Sequence, residues 1–136
     1  MTQENLIKLL KKQLELEKES IRALRAEMKN IDHHGIKALF EICAADSTKH
    51  VNMIQIMFEY LHTGKPSKES FASTWQQRHR GIETIKEHIE REKDMIELLK
   101  HEVLATKDKM LKTLLKHILA DEKRHHEILK KEIFNI

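Results

Sequence analysis

Three glutamates and two histidines stand where a helical protein would otherwise place apolar side chains: Glu17, Glu92, Glu122, His50 and His125. Glu17 interrupts the run Ile7, Leu10, Leu14, Ile21, Leu24, Met28 and Ile31. Glu92 interrupts Ile82, Ile85, Ile89, Ile96, Leu99 and Val103. An unpartnered carboxylate in an apolar interior is strongly destabilising, and carboxylates gathered at one depth also repel one another. No Lys or Arg occupies these seams at that level to neutralise them. A divalent cation removes both penalties, and a donor set of carboxylates and imidazoles suits iron, manganese or zinc. The i, i+3 spacing of Glu122-x-x-His125 places both side chains on one helix face, aimed at the same point.

An internal repeat supports grouping the five residues. A shift of 75 residues, without gaps, lays Ile7 on Ile82, Leu14 on Ile89, Glu17 on Glu92 and Leu24 on Leu99. The same shift lays Ala45-Asp46-Ser47-Thr48-Lys49-His50 on Ala120-Asp121-Glu122-Lys123-Arg124-His125. Matching apolar seams are expected of any two packed helices, but matching polar interruptions are not. Glu17 and Glu92 each precede a histidine, His50 or His125, by 33 residues. Two helical hairpins related by an approximate twofold would bring these residues to one level.

The elements that must position them follow from periodicity. Gaps alternating between three and four predict a first helix from about Asn5 to Asn30. Asn30-Ile-Asp-His-His-Gly35 is the turn after it. The second helix then runs to about His62, with seam Ile36, Phe40, Cys43, Ser47, His50, Ile54, Met57 and Leu61. Thr63-Gly-Lys-Pro-Ser67 breaks the pattern. The third core helix starts after Gly81, and the fourth, with Asp108 as its cap, carries Leu111, Leu115, Ile118, Glu122, His125, Leu129 and Ile133. Residues 1–136 thus form one all-α domain of two hairpins, 5–62 and 81–134, joined by a crossover over 63–80. A core helix of 26 residues spans roughly 39 Å, and eighteen connecting residues reach about 60 Å when extended. A single helix from Ser67 to Ala105 is the competing reading of the third segment.

Composition agrees with helices and excludes several function classes. Three Gly and one Pro, against 40% hydrophobic and 35% charged residues, leave little turn chemistry for a β fold. Cys43 is the lone cysteine, which rules out an internal disulfide and a cysteine-based metal site in this chain. No apolar stretch has the length of a signal core or a membrane helix, so the expected location is the cytoplasm, with no membrane partner. Basic and acidic residues, 25 against 22, are interleaved rather than clustered, and aromatics are 4% of the chain. This pattern argues against nucleic acid as a partner. No phosphate loop or hydrolase elbow is present.

The segment "ILADEKRHHEIL" resembles the fourth helix of rubrerythrin-like and other ferritin-like di-iron carboxylate proteins. That pattern takes one Glu from each of two helices and Glu-x-x-His from each of the other two, on a bundle with a long crossover. The resemblance implies a ferritin-like four-helix bundle holding two iron ions, or manganese or zinc in their place. Glu17 and Glu92 then resemble the single terminal ligands, Glu122 a bridging ligand, and His50 and His125 the terminal histidines. The chain departs from the pattern at Ser47, where the other bridging Glu is expected. Asp46 rotating inward, an exogenous anion or water, or a site with fewer ions are the open outcomes.

The implied function is that of a non-haem di-iron protein reacting with peroxide, oxygen or ferrous iron in oxidative-stress defence or iron handling. Electrons would come from a separate donor, self-association is open, and turnover of the peroxidase or ferroxidase type is open. The alternative is a non-catalytic ferritin-like bundle with a degraded metal site, acting as an interaction or structural protein. Cys43, one turn before Ser47, is expected to be a small buried apolar residue, with modulation of the site as the alternative. His88, one turn before Glu92, is expected to be an exposed histidine, with an extra ligand as the alternative; His126 is expected to be solvated. Phe71 and Trp75 are expected to pack on the bundle or under another subunit.

Overall fold

Thr2 starts the first helix by accepting the Asn5 backbone N–H on its side chain at 3.2 Å, which satisfies one of the open donors at a helix start. Helix α1 spans Gln3–Met28. After it, the Asn30 and Ile31 N–H groups donate to the carbonyls of Glu27 and Met28, tightening the turn. Helix α2 spans His34–Thr63, with His33 Nδ1 accepting the Ile36 N–H at its start. Helix α3 spans Phe71–Ala105 and helix α4 spans Lys109–Glu132. Asp108 caps α4 as expected, accepting the Leu111 N–H at 2.9 Å. Lys130 and Lys131 fall in its last turn, where positive charge complements the helix dipole. The computed structural model describes residues 2–63 and 71–133.

Two compact units, Met1–Lys65 and Pro66–Ile136, divide the chain. In the first, α1 packs against α2; in the second, α3 packs against α4. Among the described residues there is no strand. No helix is long and apolar enough to cross a membrane.

In α1 and α3 the seam lies where periodicity places it. Ile7, Leu10, Leu14, Glu17, Ile21, Leu24 and Met28 are the half-buried row of α1. In α3 the row is Ile82, Ile85, Ile89, Glu92, Ile96, Leu99 and Val103, with Glu92 and Leu99 buried.

Helices α2 and α4 are rotated relative to the expected seams. The buried side of α2 passes through Phe40, Ala44, Ser47, Val51, Ile54, Phe58 and Leu61. Cys43, His50 and Met57, expected on that side, are exposed. Cys43 is therefore not the buried apolar residue expected. In α4 the inner row is Leu115, Leu119, Glu122, His126, Leu129 and Ile133, while Leu111, Ile118 and His125 are exposed. One residue along a helix is a turn of about 100°, so each alternate seam position has moved to its C-terminal neighbour. Ala44, Val51 and Phe58 can be buried at least as readily as Cys43, His50 and Met57, so the sequence is compatible with two adjacent stripes.

The third helix also begins earlier than the expected start near Gly81. Residues 71–80 are the first turns of α3, so this part of the proposed 63–80 crossover is helical; residues 64–70 lie outside the described residues. Gly81 does not interrupt the helix, and a Cβ placed there would meet nothing within 4 Å. Glycine in an open helix interior costs only about 1 kcal/mol, which the flanking helix formers can offset. Trp75 is exposed and stacks on His79 one turn later, with ring centroids 5.6 Å apart.

Candidate metal centre

Glu92 sits mid-way along α3 and is completely buried. Among the described residues, neither of its carboxylate oxygens receives a hydrogen bond. Two imidazoles flank it instead. His88, one turn earlier on α3, places Nε2 3.6 Å from Glu92 Oε2. His126, on the inner face of α4, places Nδ1 3.8 Å from Glu92 Oε1. His126 is itself buried, and its Nδ1 also lacks a hydrogen-bond partner among the described residues.

Glu122 and His125 approach from α4. One donor atom from each of Glu92, Glu122 and His125 lies within 4.8 Å of the other two. Donors sharing one ion through bonds of about 2.0–2.2 Å stand roughly 3–4.4 Å apart. His125 is exposed and Glu122 half-buried, so neither side chain is locked in place by surrounding packing. A buried, unbonded carboxylate demands a positive partner, and oxygen with imidazole nitrogen is a donor set for a first-row divalent ion. The residues present fit a metal.

The first hairpin holds a smaller version of the same arrangement. Glu17 Oε2 of α1 and His50 Nδ1 of α2 lie 3.1 Å apart across 33 residues of sequence. Ser47 is half-buried on the inner side of α2, at the position matched by Glu122 in the repeat. Asp46 does not turn inward to replace the missing carboxylate; it pairs with Lys49 at 3.6 Å, both side chains about half exposed. Asp121, its counterpart, is held within α4 by His117 at 3.3 Å and by Arg124.

Each hairpin thus brings its own expected residues together: Glu17 with His50, and Glu92 with Glu122 and His125. Two further histidines face Glu92: His88, expected as an exposed histidine or an extra ligand, has a side chain that is 43% exposed, whereas His126, expected to be solvated, is buried. The signal for His126 lay in the repeat, where its counterpart is Val51, an apolar residue next to a histidine.

The family model described as Rubrerythrin matches residues 8–133, nearly the whole chain. The chain belongs to the rubrerythrin family. No curated protein and no solved structure matches it. The fold class is accordingly all-α, a ferritin-like four-helix bundle, in agreement with four helices and no strand among the described residues. Within this rubrerythrin-family chain the two halves of the repeat are chemically unequal. The second carries Glu122 and His126 where the first carries Ser47 and Val51.

Proposed function

We propose that this rubrerythrin-family chain is a non-haem iron protein that reacts with peroxide, oxygen or ferrous iron in oxidative-stress defence or iron handling. Buried Glu92, with both oxygens lacking hydrogen bonds among the described residues and with Glu122 and His125 in reach, carries this reading. In the full arrangement two ions are held, iron or in its place manganese or zinc. Glu92, Glu122 and His125 of the second hairpin would hold one, and Glu17 and His50 of the first would hold the other; the family pattern draws its ligands from the same helices. A pair of iron ions, when bound, supplies the one-electron steps needed to oxidise ferrous iron or reduce peroxide.

The chain's own contribution is charge, orientation and access. Glu92 and Glu122 supply two negative charges, and His125 a neutral nitrogen donor, on helices already packed together. Glu17 Oε2 and His50 Nδ1 lie 3.1 Å apart, close enough for both to serve one ion. Ser47 presents a small hydroxyl where the repeat has a carboxylate, leaving room for an exogenous anion, water or substrate oxygen. Cys43 alone cannot build a multi-cysteine electron-transfer site. Reducing equivalents would reach the ions from a group other than these residues, or from ferrous iron itself.

Ser47 also favours a second reading, a ferritin-like bundle that keeps the architecture without turnover and serves as an interaction protein. Metal analysis of protein purified without chelator, together with a peroxide-consumption assay after ferrous loading, separates the two. Bound iron with peroxide loss supports the first reading. A stable chain that takes up no metal supports the second.

A further inference from the structure

We propose that the α3–α4 hairpin by itself forms a complete site for one divalent cation, filled first and held more tightly than any ion that depends on Glu17 and His50. The inference rests on the metal reading above and asks how the ligands are shared between the two halves of the repeat.

Charge supports it first. Glu92 and Glu122 bring two carboxylates to one place within a single hairpin, enough to neutralise one dication. The first hairpin offers the single carboxylate of Glu17 at the matching level, because Ser47 replaces the second. Donor number supports it next. Glu92, Glu122 and His125 already supply three donors, and His126 and His88 stand 3.8 Å and 3.6 Å from the two oxygens of Glu92. Such imidazoles can join the shell or, by donating an N–H, fix the carboxylate in a binding orientation. Their counterparts in the first half are Val51 and Gln13, neither an imidazole.

Burial points the same way. Glu92 is fully buried and lacks a hydrogen bond among the described residues. Glu17 is already bonded to His50, whose side chain is 46% exposed. The demand for a cation is thus concentrated at Glu92, and so is the means to hold it.

The test is a titration of the chelator-stripped, full-length chain with manganese(II) alone, read by native mass spectrometry and by electron paramagnetic resonance of free ion. The wild type and the Glu17→Gln/His50→Gln variant are expected to take up a first ion with affinities within about threefold of each other. The Glu122→Gln/His125→Gln variant is expected to bind that ion at least ~100-fold more weakly. Thermal melts by circular dichroism check that each variant is folded; Glu122 and His125 are not fully buried, so their replacement leaves the packing intact. Loss of the first ion in Glu17→Gln/His50→Gln, or two ions entering the wild type in one indistinguishable step, overturns this inference while leaving the family-type centre standing. A folded wild type that binds no ion removes both.

Discussion

His126 Nδ1 lies 3.8 Å from Glu92 Oε1, both groups buried, and the residue matching His126 in the other half of the repeat is Val51. One hairpin therefore carries an apolar contact where the other carries an imidazole against a carboxylate. A polar pair at a core position is hard to justify by stability alone, since well-packed apolar residues serve at least as well there. Its presence in one half marks that half as the specialised one.

Converting His126→Val should make the second hairpin resemble the first at this position. Loss of a group that supports a ligand typically lowers metal affinity about 10–100-fold. Calorimetric titration with manganese(II) would measure this, and a denaturant melt should show stability equal to or above that of the parent. An unchanged affinity would remove His126 from the site.

Ser47→Glu should restore the carboxylate that the repeat predicts at this position. With a fourth carboxylate, two divalent ions are balanced in charge, and metal stoichiometry measured by elemental analysis should rise toward two per chain. Ser47 is half-buried on the inner side of α2, so a longer side chain has a direction in which to extend. No gain in stoichiometry would count against the arrangement proposed for Glu17 and His50.

How much of this was legible beforehand differs from helix to helix. In α1 and α3 a single polar residue, Glu17 or Glu92, interrupts one unambiguous apolar stripe, and both seams lie where the spacing put them. Helices α2 and α4 carry apolar residues on two adjacent stripes. Cys43 competes with Ala44, Met57 with Phe58, and Ile118 with Leu119. A seam drawn through His50 and His125 takes the exposed member of each pair, whereas Val51 and His126 are buried. Packing favours the other stripe, because Val51 gains more from burial than His50 does. His126 was hidden by the same error, since correcting the α2 stripe by one residue moves the α4 stripe onto His126. Glu17 and His50, and Glu92 and His125, are still brought near one another, because a histidine one position off the buried stripe lies at its edge, within reach of the facing helix.

Glu92→Leu tests the cost of the site. In the metal-free chain, replacing an unbonded buried carboxylate by an apolar side chain of similar size should stabilise the fold by about 1–3 kcal/mol. Divalent metal, which stabilises the parent by preferring its folded form, should no longer raise the melting temperature. Urea unfolding with and without manganese(II) gives both values. A less stable metal-free variant would mean that Glu92 has a favourable role in the fold without any cation.

Gly81→Ala tests the extent of α3. In an open helix interior, where the added Cβ meets nothing within 4 Å, alanine should stabilise by about 0.5–1 kcal/mol. Were residue 81 instead the start of a separate helix after a non-helical crossover, this gain would be absent or reversed. Thermal unfolding resolves the difference.

The most direct measurement is an anomalous difference map from crystals of the full chain soaked in manganese(II) or ferrous iron, collected at the metal edge. The account predicts a strong peak at bonding distance from Glu92, Glu122 and His125. Metal-soaked crystals with no peak there, and Glu92 still buried without a cation beside it, would contradict it.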